Sequence, residues 1–202
     1  MNFISIDAVT EKSNISLFID NQCVSEYNNC ENSSHLPKVI KLGMEENNLD
    51  LKELDYIAVT IGPGSYTGIR VGLSISQGIA YSLSIPIVPV NTMDFLYYNS
   101  INLEDNDKII GFPSYGDNLI YFTINDGIKS KNKVTDVKYF KNKKVYGAQL
   151  DKFSDIFEYE RISISSKLIG LYSIENYSQL ATKEMNSVSP IYLDIYGVEI
   201  DD

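Results

Sequence analysis

Groups able to do chemistry are scarce in this chain. One histidine (His35), two cysteines (Cys23 and Cys30) and two arginines (Arg70 and Arg161) are its whole stock of imidazole, thiol and guanidinium. A single imidazole excludes a two-histidine metal site built by this chain alone. The two cysteines are too few for a disulfide scaffold and read as structural thiols, which suits a reducing, cytoplasmic setting. Ser65 or Ser34 with His35 and an aspartate has the composition of a nucleophilic triad, but no nucleophile-elbow pattern accompanies either serine. His35 stands at a helix start, where the dipole disfavours an imidazolium, so a neutral hydrogen-bonding role is expected of it.

The most informative segment is Ala58-Val59-Thr60-Ile61-Gly62-Pro63-Gly64-Ser65-Tyr66-Thr67-Gly68-Ile69-Arg70-Val71-Gly72. A glycine loop between a buried strand and a helix start can present free N–H groups to an anion. Neither standard phosphate motif is met, however. A Walker loop needs Gly-Lys-Ser/Thr, and the dinucleotide fingerprint needs G-x-G-x-x-G, whereas these glycines run G-x-G-x-x-x-G. The spacing favours a tight structural turn, with Gly62, Pro63, Gly64, Ser65, Thr67 and Arg70 as its shaping residues. Arg70 either ties the loop or pairs with a partner.

The helix that follows carries two stripes of small residues. Gly68, Gly72, Ser76 and Ala80 fall four apart on one side, and Ser74, Gly78 and Ser82 form a second. Glycine inside a helix costs roughly 1 kcal/mol relative to alanine, so something must need close approach there. The helix is therefore expected to pack on two opposite sides, against its own sheet and against a second helix from this chain or another.

The elements that position these residues read as βββαβαβα. Strands are expected at Phe3–Asp7, Ile15–Ile19 and Cys23–Tyr27, with an Asp20-Asn21 hairpin. A helix capped by Ser34, with Pro37 in its first turn, carries Leu36, Val39, Ile40 and Met44 at helical spacing. Tyr56–Ile61 is a strand buried on both faces, followed by a helix over 66–83, a strand at Ile85–Val90 and a helix from Thr92. The polar stretch Asn99–Asp107 suggests lobes at 1–103 and 104–202. The second half is expected to hold strands at Lys108–Phe112, Leu119–Ile124, Val134–Phe140 and Lys144–Gly147. A helix over Ser166–Glu184 is expected to have Leu168, Leu171, Tyr172 and Leu180 on its apolar side.

Charge narrows the function further. The formal net charge is −10, and binding a polyanion proceeds through Lys and Arg contacts. So acidic a chain is a poor candidate for the main nucleic-acid surface; Lys141–Lys144 is either a local phosphate contact or, as favoured, a solvated turn. No run of eighteen apolar residues occurs, so no membrane span is expected, and the N-terminus lacks the pattern of a signal peptide.

Several of these segments together carry a resemblance. Ile6-Asp7-Ala8-Val9-Thr10-Glu11 followed by Ile15-Ser16-Leu17 resembles the opening phosphate hairpin of the actin-like ATPase (ribonuclease-H-like) superfamily. Ser34-His35-Leu36-Pro37, the glycine segment, Gln77-Gly78-Ile79-Ala80 and Pro86-Ile87-Val88-Pro89-Val90, in that order, resemble the bacterial TsaB family over roughly residues 2–96. The resemblance implies a two-lobed α/β fold and a noncatalytic subunit that dimerises with TsaD, the threonylcarbamoyl transferase, with the ATPase TsaE joining them. It also implies a homodimer when the chain is alone.

The TsaD metal motif of two histidines four apart falls, by this resemblance, on Thr92 and Leu96, neither of which replaces an imidazole. No cofactor is therefore expected. Asp7, at a metal–phosphate position in active relatives, is expected to brace its hairpin. The implied partner surface is Leu36, Val39, Ile40, Gly43 and Met44 on the first helix. On the second it is Gly68, Ile69, Gly72, Leu73, Ser76 and Ala80, so Gly72→Leu or Ser76→Leu would separate docking from folding. Two departures mark the second lobe as divergent. Gly111–Gly116 lacks the family's Asp-Ala-Arg, and Tyr192-Leu193-Asp194 carries an acid where the family has arginine. The alternatives are an ATP-dependent kinase or hydrolase of the superfamily, using Asp7 and the Gly62–Gly68 loop, and a scaffold unrelated to tRNA.

Overall fold

The computed structural model describes residues 1–30 and 35–193; the Ser34 cap and Asp194 lie outside the described residues. Two compact units are present, one made of Met1–Asn91 with Ile164–Pro190 and one built on Thr92–Ser163.

The first unit is a five-stranded sheet in the order β3-β2-β1-β4-β5, with β1 Phe3–Asp7, β2 Ser13–Ile19, β3 Gln22–Cys30, β4 Tyr56–Gly62 and β5 Ile87–Asn91. Asp20 and Asn21 both take positive φ (51° and 64°), which closes the β2–β3 hairpin in two residues. β1 runs antiparallel to β2 and parallel to β4, and β4 runs parallel to β5. The apolar run of β4 is buried throughout, as a central parallel strand requires.

Helices cover both faces of this sheet. On the Ile4/Ile6 face lie α1 Leu36–Glu46 and α2 Tyr66–Leu83. On the opposite face lies α4 Ser166–Leu180, over a stacked row of Phe3, Phe18 and Tyr56 with ring centroids 4.2 and 4.3 Å apart. Each aromatic buried there contributes about 1.5–3 kcal/mol.

The buried side of α4 differs from the one its hydrophobic residues suggest. Ser166, Ile169, Gly170, Tyr172 and Ser173 face inward, while Leu171 is exposed. The sheet supplies the bulk at this contact and the helix supplies small residues. A Cβ on Gly170 would collide with the Phe18 ring. Ser166 Oγ shares a 2.7 Å hydrogen bond with Ser16 Oγ, and Ser173 Oγ one of 3.0 Å with the Tyr56 hydroxyl.

The second unit begins with α3 Thr92–Ser100, which packs on β6. Its sheet runs β11-β10-β6-β7-β8, with β6 Lys108–Pro113, β7 Asn118–Asn125, β8 Ile128–Lys129, β10 Lys144–Gly147 and β11 Glu158–Arg161, while β9 Lys133–Asp136 also pairs with β7. The expected strand Val134–Phe140 stops at Asp136. There the carboxylate accepts the Lys138 N–H at 2.8 Å and turns the chain into a short 3-10 helix that buries Val137 and Phe140. The expected division after residue 103 is also corrected. The units part between Asn91 and Thr92, and α4 returns to the first unit because its small side fits that unit's aromatic row.

A closed phosphate turn and an exposed helix face

Asp7 ends β1 fully buried. Its Oδ1 accepts the Val9 N–H at 3.1 Å, and its Oδ2 accepts the Thr10 hydroxyl at 2.6 Å and the Asn14 amide at 3.3 Å. Burial pushes its pKa up against the pull of these hydrogen bonds. The carboxylate thus spends its acceptor capacity on its own turn.

The glycine loop is seated on that turn. Gly62 needs its φ of 109°, and the Gly62–Pro63 bond is cis. A Cβ on Gly64 would run into Val9, and one on Gly68 into the Ala8 carbonyl. The Ser65 N–H donates to the Val9 carbonyl at 2.9 Å. Ser65 Oγ accepts the Gly68 N–H at 3.3 Å, and the Ser65 carbonyl accepts the Ile69 N–H at 2.9 Å. The Ser65 and Gly68 N–H groups of the loop are therefore engaged inside the chain. Thr67 is exposed at the helix start, and the Arg70 guanidinium stacks on Tyr66, 4.0 Å from the ring centroid.

The residues implied as a partner surface occupy a different place. Gly68, Ile69, Gly72, Leu73, Ser76 and Ala80 are buried, and a Cβ on Gly72 would stand 2.6 Å from that of Ala8. Leu36, Ile40, Gly43 and Met44 are buried on α1. Gly43 sits against the Tyr27 ring, and half-buried Val39 lines the same apolar gap with Ile4, Ile15 and Leu17. This corrects the expectation: these residues hold the two helices onto the chain's own sheet. Close approach to Ala8 accounts for the glycines at 68 and 72, so Gly72→Leu would disturb the fold rather than probe docking.

The second small stripe points away from the sheet. Ser74, Gly78 and Ser82 are exposed, flanked by Tyr66, Arg70 and Tyr81, the last 79 % exposed. A Cβ on Gly78 would meet nothing within 4 Å. Next to it, Gln77 donates to the Met185 and Val188 carbonyls at 3.0 and 2.8 Å, fixing the segment after α4. On α1 the exposed residues include Lys38, Leu42 and the Lys41–Glu45 ion pair. Sequence spacing reveals both stripes of α2; only the Ala8, Ile6 and Val59 contacts tell which one meets the sheet.

The remaining candidates are dispersed. His35 precedes α1, exposed and without a side-chain capping bond. Thr92 and Leu96 are buried in α3. Among the described residues, no three His, Cys, Asp or Glu side chains cluster as metal ligands, and no helix is long and apolar enough to cross a membrane.

Fold and turn together define an actin-like α/β protein whose first hairpin holds Asp7 buried in its own turn. Residues 28–184 match the family described as TsaD: tRNA N6-adenosine threonylcarbamoyltransferase. The tRNA threonylcarbamoyladenosine biosynthesis protein TsaB of Haemophilus influenzae is 24% identical over 126 residues, 61% of this chain and 53% of that protein. The TsaB of Bacillus subtilis is 31% identical over 103 residues, 49% of this chain and 44% of that one. The tRNA N6-adenosine threonylcarbamoyltransferase of Prosthecochloris aestuarii is 32% identical over 104 residues, 52% of this chain and 29% of that enzyme. The chain thus spans about half the length, or less, of the curated relatives it matches. YeaZ from Pseudomonas aeruginosa has the same fold, with a TM-score of 0.71 over 95% of this chain and 99% of that one at 16% identity. The chain belongs to the TsaD family of tRNA N6-adenosine threonylcarbamoyltransferases, among its TsaB members.

Proposed function

We propose that this chain is a noncatalytic, cytoplasmic accessory subunit in the formation of threonylcarbamoyladenosine on tRNA, docking a TsaD-type catalytic subunit on the outward face of α1 and α2. Gly78 carries the docking reading. A glycine in a helix interior costs about 1 kcal/mol, and at this position nothing among the described residues asks for it. With Ser74 and Ser82 it leaves a shallow strip on which a second helix can lie at close range. The closed Asp7 turn supports leaving the chemistry to the partner. TsaE joins the pair, and in the partner's absence the same strip serves a homodimer.

The test is reconstitution of tRNA modification from purified partners with and without this chain. Product is expected only when the chain is present. Gly78→Trp is expected to melt no lower than the wild type and to lose the complex on size exclusion. Complex formation by Gly78→Trp at wild-type strength would overturn the docking face, and ATP turnover by the chain alone would overturn the noncatalytic role.

A further inference from the structure

Positive charge in this acidic chain is concentrated in one stretch of the second unit. More than half of its lysines fall between Lys129 and Lys152, opposed within that stretch only by Asp136 and Asp151. Two of these lysines are neutralised locally, Lys129 by Asp94 at 2.7 Å and Lys144 by Glu160 at 3.0 Å and Asp105 at 3.4 Å. Lys133, Lys138 and Lys141 are exposed and have no ion pair among the described residues.

A fixed aromatic lies within the same stretch. Lys133 pairs with Tyr121 across the β7–β9 ladder, so both side chains leave the same face of the sheet. The Tyr121 ring lies 6.0 Å from that of Tyr139, which Phe140 holds edge-on at 5.2 Å. Tyr139 is nevertheless 55 % exposed, and the Lys143 ammonium sits 3.5 Å from its ring centroid. Lys138 and Lys141 flank it in sequence. Unpaired ammonium groups around a rigid, exposed ring suit a strand with regularly spaced phosphates and bases that stack. An acidic protein surface would use the ammonium groups but have no call on the ring.

We propose that Lys133, Lys138, Tyr139, Lys141 and Lys143 form an accessory RNA contact that takes the backbone phosphates and one unstacked base of a single-stranded segment. On the function proposed above, which this inference deepens, that segment belongs to the tRNA being modified.

The test titrates the full chain into fluorescently labelled, unmodified tRNA transcript, starting at about 50 mM salt. Replacing the four lysines by glutamine is expected to weaken binding at least about tenfold and to flatten the log K versus log salt slope by about 3. Tyr139→Ala is expected to weaken binding several-fold with the slope retained. Melting curves confirm that both variants fold. In the reconstituted reaction, the lysine variant is expected to raise KM for tRNA with kcat kept.

No binding by the wild type at the lowest salt, or wild-type affinity in the lysine variant, would overturn the inference. So would competition by polyglutamate as effective as by RNA together with an inert Tyr139→Ala, which would assign the patch to an acidic protein. Because the titration uses this chain alone, it stands or falls separately from docking to a catalytic subunit, which Gly78→Trp reads.

Discussion

Asp7 is a buried carboxylate held by donors of its own turn. Its carboxylate faces three donors, the Val9 N–H, the Thr10 hydroxyl and the Asn14 amide, in a site without exposure. The donors favour the charged form, burial opposes it more strongly, and the folded-state pKa rises above the ordinary 3.8. The unfolded chain therefore releases this proton at lower pH than the folded chain. The stability that Asp7 contributes is full below the ordinary value and declines as pH climbs toward the raised one. Asp7→Asn replaces one acceptor oxygen by an amide nitrogen where the Val9 N–H, the Thr10 hydroxyl and the Asn14 amide all donate, and the acceptor lost there costs about 1–3 kcal/mol at low pH. The advantage of the wild type over Asp7→Asn is expected to narrow across that window, measured by urea unfolding at stepped pH. A gap that does not change with pH would mean that burial does not govern this group.

Helix α2 carries the same argument at the scale of an element, because two glycines in one helix have opposite environments. Gly72→Ala puts a methyl 2.6 Å from the Ala8 Cβ and is expected to destabilise the chain by about 1–3 kcal/mol through overpacking. Gly78→Ala meets open space and is expected to stabilise it by up to about 1 kcal/mol. Thermal unfolding of the two variants should shift in opposite directions; a shift of the same sign would reverse the assignment of the two stripes. This pair also marks the limit of sequence reading. Hydrophobic alternation, the Asp20-Asn21 turn and the glycine loop made the order of the first eight strands and α-helices legible. Periodicity showed that α2 has two small sides, but which side meets the sheet depends on the neighbouring strand's Val59 and on Ile6 and Ala8, which are remote in sequence. In α4 the signal was weaker still. Its buried side is Ser166, Gly170 and Ser173 with Ile169 and Tyr172, and a search for apolar residues points to exposed Leu171 instead. The strand expected over Val134–Phe140 failed for a local reason, the Asp136 cap, which competes with continued pairing.

At the scale of the whole molecule, the decisive feature is that the first unit is discontinuous in sequence. Its sheet is complete by Asn91, yet the helix that covers its Phe3/Phe18/Tyr56 face is supplied by Ser166–Leu180, after the Thr92–Ser163 stretch of the second unit. A chain ended after Ser163 would expose three stacked aromatics and leave Ser16 and the Tyr56 hydroxyl without their α4 partners. Losing the cover over even two of those rings removes several kcal/mol, comparable to the net stability of a domain this size. The shortened chain is expected to bind hydrophobic dye, to lose its sharp near-ultraviolet signal from these aromatics, and to unfold without a cooperative transition. It is also expected to fail to dock a TsaD-type subunit, although every residue of α1 and α2 is present, because the sheet beneath those helices is no longer held flat from behind. The point mutation Gly170→Ala, which sets a methyl against the Phe18 ring, should move the same observables part of the way while leaving the chain length intact. Cooperative unfolding of the shortened chain at wild-type stability would show that the Phe3/Phe18/Tyr56 face is sustained without α4.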